Sequence, residues 1–271
     1  MTAPTAEPIF VSLASGSRGN SAYLGTRDAG ILIDAGISLR QIKRRLAVCG
    51  IDLSAVQGVF VTHEHGDHIH GLSVLHKHHS VPIIATPGTL VQLKRRCGCD
   101  GQPIEPNTEF IFNDWRVLAV PVPHDACQPV CFRFDLPRSL GGVSIGFVTD
   151  IGNPAPWVIE SMRGVDFLYL EANHDADMLA KGPYPKQLKE RVASRRGHAS
   201  NEQTKQFLAG FGLFLPPLIM LGHLSETNNT PELATAAVDE VVAGRSTVCC
   251  AQQNNPQRIT IATQVGMEAV L

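Results

Sequence analysis

Aromatic residues make up only 6% of the 271-residue chain and charged residues only 18%. The charges nearly cancel, 23 Lys and Arg against 25 Asp and Glu, for a formal net of −2. A protein that coats nucleic acid through bulk charge is therefore excluded, although a local basic track is not. Long apolar runs are missing too. The longest, 211–221, is too short to span a membrane and is broken by Pro216 and Pro217. The opening residues MTAPTAEP have neither the basic n-region nor the apolar h-region of a secretory signal. Seven cysteines form no CxxC pair, so reduced thiols are expected. Repeats, low-complexity tracts and linkers are lacking. These absences predict a cytoplasmic protein without a membrane partner, built as a single domain over 1–271 with a sizeable core.

Short apolar runs rich in β-branched residues are plentiful: 9–13, 22–25, 31–35, 59–62 and 82–86, each bounded by turn residues. They read as strands, the first three as an antiparallel meander. A second group follows at 109–112, 115–122, 130–136, 143–149, 165–170 and 217–221, with short strands at 247–250 and 258–263. Helices are expected at 38–48 under a Ser38 cap, at 87–96, at 154–163 and at 231–243 behind Thr230 and Pro231. Short helices are expected within 175–195, and Ser200 with Gln203 reads as a capping box for 200–209. Two strand clusters flanked by helices predict an α/β fold, a four-layer αββα sandwich of two mixed sheets.

Histidine is crowded: seven of eleven lie between His63 and His79. After strand 59–62 comes THEHGDH, so His63, His65, Asp67 and His68 fall within six residues. An apolar strand gains nothing by ending this way unless the run wraps a cation. On a loop, His63 and His65 can project together while Asp67 and His68 turn around Gly66. Imidazole and carboxylate at this density suit zinc, iron or manganese. One loop fills at most half of a two-metal site, so further ligands are expected at other strand ends. His124, Asp150 and His223 each follow an expected strand. No cysteine is expected among the ligands, and Cys127 alone sits close in sequence to one.

These segments resemble the metallo-β-lactamase fold superfamily, and within it the WalJ/YycJ-like metallohydrolases. The resemblance runs through LASGSRGN at 13–20, LIDAG at 32–36, THEHGDHIHGL at 62–72, VPHDACQPV at 122–130 and TDIG at 149–152. It continues through LEANHDADML at 170–179, GPYPKQLKERV at 182–192, GHASN at 197–201 and LGHLSETNN at 221–229. Cys127, Gln128 and Ala199 depart from it, and none is an expected ligand. The resemblance implies two divalent metal ions, one held by His63, His65 and His124 and the other by Asp67, His68 and His223, with Asp150 bridging. Asp34 resembles the acid that braces the ligand loop from behind. The metal pair implies a shared water with its pKa lowered toward about 7, and a catalytic Asp67 that orients it or takes its proton.

The branch implies a phosphodiesterase, a 5′→3′ exonuclease on DNA, with nucleic acid as substrate. His198 resembles the histidine with which phosphodiesterase branches steady the transition state or protonate the leaving oxygen. The stretch 181–198 before it carries six Lys/Arg against one Glu, which suits a phosphate backbone and equally a solvated helix face. Ser15, Ser17 and Arg18 in the SGSRGN turn, with Arg195, Arg196 and Asn201, are candidate substrate contacts; a tight hairpin explains the turn as well. The alternative is a small-ester hydrolase, a lactonase or glyoxalase-II-like thioesterase with weak β-lactamase side activity. The commonest class B β-lactamases carry Cys where Asp150 stands and lack a counterpart of His68, which sets a dedicated β-lactamase aside. A metal-bearing binding protein without turnover is the third class. The residues carry no signal for an oligomeric state.

Overall fold

The computed structural model describes residues 7–261. Part of the leader reading at 1–8 and the end of the strand expected at 258–263 lie outside the described residues. The chain opens with an antiparallel meander, β1 (Ile9–Ala14), β2 (Ser21–Gly25) and β3 (Gly30–Ile33). Helix α1 (Leu39–Val48) follows, opened by a Ser38–Gln41 capping box. Strand β4 (Val56–Phe60) then pairs in parallel with β3, β5 (Ile83–Ala85) with β4, and the two-residue β6 (Gln102–Pro103) with β5. Between β4 and β5 come α2 (Gly66–Ile69) and α3 (Leu72–His79), and α4 (Pro87–Cys97) lies between β5 and β6.

The second sheet starts with antiparallel β7 (Glu109–Phe112), β8 (Trp115–Pro121), β9 (Val130–Asp135) and β10 (Ser144–Val148). It continues in parallel through β11 (Phe167–Glu171), β12 (Leu218–Gly222) and β13 (Thr247–Cys250). Its connections carry α5 (Pro156–Ser161), α6 (Ala176–Lys181), α7 (Lys186–Val192), α8 (Asn201–Ala209) and α9 (Pro231–Val242). The last strand, β14 (Gln257–Thr260), returns to the first sheet beside β1. The two closing strands thus serve different sheets, which their sequence does not reveal.

Alternation along the strands builds the layers. Phe10, Leu24, Ile31, Ile33 and Phe60 of the first sheet face Phe132, Phe134, Ile145, Phe167 and Met220 of the second. The intervening residues Val11, Tyr23, Leu32 and Val59 turn outward onto Ile42, Leu46, Leu72 and Leu93 of α1, α3 and α4. On the far side Val148, Leu168, Leu170 and Ile219 meet Val158, Phe207, Leu208 and Val238 of α5, α8 and α9. Three apolar layers between four structural ones require strands buried on both faces, which is why they read as unbroken apolar runs. Most of the scarce aromatic rings gather between the sheets, where Phe60 meets Phe112, Phe132 and Phe134 edge-on at 5.4–5.6 Å. No helix among the described residues is long and apolar enough to cross a membrane.

Candidate metal centre

Strand ends supply the site. Asp34 follows β3, the His63–His68 run follows β4, His124 follows β8, Asp150 follows β10, Glu171 ends β11 and His223 follows β12. The run is part loop and part helix: His65 caps the helical turn Gly66–Ile69, which carries Asp67 and His68. A wholly looped run was the expectation. The turn forms because the His68 amide bonds the His65 carbonyl at 2.9 Å and the His70 amide bonds the Gly66 carbonyl at 3.0 Å. Asp34, Asp150 and His223 all have left-handed backbones, φ 59°, 55° and 56°. Each costs about 1–3 kcal/mol and turns a side chain back over the sheet edge.

The seven side chains converge. His63, His65 and His124 each bring a ligand atom within 4.8 Å of the others, and so do Asp67, His68 and His223. Asp150 lies between the groups, Oδ2 3.2 Å from His68 Nε2 and Oδ1 3.6 Å from His124 Nε2 and 3.9 Å from His223 Nε2. Four imidazoles are tied back by one nitrogen. His68 Nδ1 donates to Asp34 Oδ2 at 2.7 Å, His124 Nδ1 to the Gly197 carbonyl at 3.0 Å and His223 Nδ1 to Glu171 Oε1 at 2.8 Å. His63 Nδ1 donates to the Thr62 hydroxyl at 3.0 Å, which itself donates to Asp34 Oδ2. The opposite nitrogens face inward, and His63 Nε2 and His223 Nε2 are buried without any hydrogen-bond partner among the described residues. Buried imidazole nitrogens left this way, aimed at carboxylates, fit a metal cluster.

Electrostatics agree. Burial alone would raise Asp150, yet His223, His68, His63 and His124 hold its carboxyl far below the ordinary range. Burial alone would lower His68 and His223, but Asp150 and the other surrounding carboxylates raise both well above the usual imidazole value. With no cation bound, both rings are therefore biased toward a second proton. A ligand imidazole must shed it, so metal loading is expected to release protons and to tighten as pH rises. Calorimetric titration in two buffers of different ionisation enthalpy checks this; equal apparent heats and an affinity unchanged between about pH 6 and pH 8 would contradict it.

Several neighbours were not anticipated. Glu171, fully buried, accepts from His223 Nδ1 and His198 Nδ1, each at 2.8 Å through Oε1, and from the Ile151 amide at 2.8 Å through Oε2. Burial would raise its pKa, but the two imidazoles hold it at about 2. Its one legible signal was an acid closing a strand, LYLE, parallel to Asp150. Asn20 donates to Asp67 Oδ2 at 3.3 Å and lies 3.2 Å from His68 Nε2. Asp125 brings Oδ1 to 3.4 Å from His124 Nε2. A Glu171→Gln substitution leaves a donor facing a donor on one side of the carboxamide. It is expected to weaken metal binding about 10–100-fold and to cost about 1–3 kcal/mol. Metal titration and thermal unfolding read this directly, and wild-type metal affinity would remove Glu171 from the site's support.

The candidate substrate contacts scatter. Ser15 is buried, its hydroxyl 2.6 Å from Tyr169 Oη and accepting the His223 amide at 2.7 Å. Asn201 is buried and paired with Asn229 through both amide groups. Those two polar side chains face inward to other protein groups. Ser17 and Arg18 are exposed, and Arg18 pairs with Glu226 at 2.7 Å. Arg196 donates twice to the His124 carbonyl, while Arg195 is exposed. The SGSRGN turn abuts the ligand turn: the Asn20 amide bonds the Asp67 carbonyl at 2.7 Å. Only a residue without Cβ fits at Gly36, where a Cβ would fall 1.7 Å from that same carbonyl. Cys127 is exposed and belongs to none of the convergent groups, its amide donating to Glu64 Oε1 at 2.9 Å.

Residues 30–224 match the family model described as a beta-lactamase superfamily domain. The chain is 33% identical over 241 residues to the exodeoxyribonuclease YycJ of Bacillus anthracis, covering 86% of this chain and 88% of that one. It is 33% identical over 228 residues to the exodeoxyribonuclease WalJ of Streptococcus pneumoniae, covering 82% and 83%. Among solved structures, the metallo-beta-lactamase fold protein YhfI of Bacillus subtilis superposes with a TM-score of 0.69 at 15% identity, over 93% of this chain and 100% of that one.

Proposed function

The chain belongs to the metallo-β-lactamase fold superfamily, in the branch of the YycJ and WalJ relatives, and on that premise we propose a single-domain dinuclear metallohydrolase that degrades DNA as a 5′→3′ exonuclease. In this reading His63, His65 and His124 hold one divalent cation and Asp67, His68 and His223 a second, with Asp150 shared and zinc, manganese or iron as the metal. When bound, such ions make a water acidic enough to yield a nucleophile near neutral pH and meet the charge on phosphoryl oxygens. The chain's own groups do the rest.

Asp67 keeps its side chain 30% exposed beside the inward nitrogens of His68 and His223, so it can orient a water or take its proton. His198 is the observation that carries the choice of phosphodiester. Its Nδ1–H is spent on Glu171, and its ring stands 5.3 Å from that of His124 and 5.1 Å from that of His223. Nε2 is thus left facing the cleft, and with the ring protonated there as well, against the Glu171 carboxylate, it would give a hydrogen bond or that proton to the leaving oxygen and return as the neutral imidazole. A small ester that ends within the pocket needs no such group. The names of the Bacillus and Streptococcus relatives support the same substrate class.

Purified protein with Mn²⁺ or Zn²⁺ on end-labelled duplexes and single strands, run beside lactones and thioesters, tests the reading. Shortening from the 5′ end is expected. Efficient lactone or thioester turnover with every labelled strand left intact would overturn it in favour of a small-ester hydrolase.

A further inference from the structure

We infer that Arg191, held in place by Asp125, grips a phosphate of the substrate at the rim of the His63, His65 and His124 group, and that this contact discriminates a phosphodiester from an uncharged ester. The inference rests on the nuclease reading and gives it a specificity residue.

Asp125 follows His124 directly and works in two directions. Its Oδ1 lies 3.4 Å from His124 Nε2 and 3.8 Å from His65 Nε2, while its Oδ2 accepts from Arg191 Nε at 2.6 Å. One carboxylate therefore pins a guanidinium to the edge of the cluster. Only Nε is engaged: among the described residues no hydrogen-bond partner meets Nη1 or Nη2, and the side chain is 53% exposed. A guanidinium tethered through Nε presents its remaining N–H groups as a fixed fork, the shape that two phosphate oxygens accept.

The other cations near the cleft lack this combination. Arg196 spends Nε and Nη2 on the His124 carbonyl, and Arg18 spends Nε and Nη2 on the Glu226 carboxylate. Arg195 is exposed and has no hydrogen-bonded tether among the described residues. Arg191 also lies beside the backbone that carries His198. It sits in the last turn of α7, and the carbonyl of the next residue, Val192, accepts the His198 amide at 2.9 Å. Asp125 first, and Asp67 and Asp150 more weakly, hold the guanidinium proton more firmly than usual, as expected of a cation beside the carboxylates of the site. A substrate bearing phosphates finds this charge already oriented, whereas an uncharged lactone brings no anion to pair with it.

The test uses a fluorescently end-labelled single-stranded oligonucleotide, cleaved by the metal-loaded protein and, in parallel, bound at several salt concentrations. Arg191→Gln is expected to raise KM about tenfold, with kcat falling less than about threefold. It should also reduce the slope of log affinity against log salt by about 0.7, one phosphate contact on a single strand. Arg191→Lys should restore the salt slope but not the full affinity, because the charge returns without the fork. Asp125→Asn should raise KM in the same way by releasing the guanidinium, while Lys43→Gln, the same charge change on the outer face of α1, should match the wild type. A wild-type protein that cleaves the strand beside an Arg191→Gln protein with unchanged KM and salt slope overturns the inference alone. A wild-type protein that leaves both this strand and the matching labelled duplex intact overturns the nuclease reading and this contact with it.

Discussion

Asp67→Ala protein is expected to fold, to lose its metal at the Asp67, His68 and His223 group, and to show no measurable hydrolysis. The fold should survive because Asp67 is the second residue of the helical turn Gly66–Ile69, where alanine is a good helix former, and the shorter of its two bonds to Asn20, at 2.7 Å, runs through the backbone carbonyl and is kept. The chemistry should not survive. The Asp67 carboxylate lies 3.5 Å from His68 Nε2 and 3.6 Å from His223 Nε2, and its partial exposure sets it where a water and a substrate enter. In the proposed reading, removing it takes away a negative ligand and the group that would orient the water in one step. Metal analysis and turnover on labelled DNA read both losses. Activity within about tenfold of the wild type would remove Asp67 from the reaction.

His198→Ala should behave differently, and the contrast is the point of making both. His198 lies outside the two groups assigned to metal, so the metal content is expected to stay at the wild-type level. Turnover on DNA should fall by about 10²–10⁴, the usual worth of a positioned proton donor. The side chain is 18% exposed and meets the protein through Glu171 Oε1, so its removal opens space toward solvent rather than a cavity in the core. Combined with Glu171→Gln, the losses should fall short of additive, because both changes act through one hydrogen-bonded pair. If His198→Ala cuts DNA at the wild-type rate, the leaving oxygen takes its proton elsewhere.

Much of the site was legible because its residues repeat one local pattern, a polar ligand type immediately after an apolar strand. His124, Asp150 and His223 each stand alone in sequence, yet the same rule picks out all three, and THEHGDH supplies four donors by itself. Glu171 obeys the rule as well, but an acid closing a strand has too many ordinary explanations to stand out in sequence. What identifies it is contact with His198 and His223, 27 and 52 residues away. Asn20 and Asp125 were missed for the same reason. Polar residues in turns mislead in the other direction. Ser15 and Asn201 look available in sequence, but packing encloses them, and their hydroxyl and amide then bond to Tyr169, the His223 amide and Asn229 rather than to a substrate.

The sequence alone determined most of the strands, since period-two burial on both faces demands unbroken apolar runs, and it marked the His and Asp side chains that converge, since each stands just after such a run. Most boundaries followed within a residue or two, but β4 starts at Val56 rather than 59, the short β6 has no apolar run to announce it, and the last part of the ligand run closes into a helical turn. Tertiary structure decided how the parts meet. Only the stacking of two sheets brings the ends of β3, β4, β8, β10, β11 and β12 to one edge, sends β13 and β14 to different sheets, and sorts the basic stretch 181–198 residue by residue. Arg196 turns inward to the His124 carbonyl and Arg191 is pinned to Asp125, 66 residues distant, while Arg195 stays in solvent. Side-chain type is a local property of the chain, whereas the partner that orients a charge is set by packing across long sequence separations.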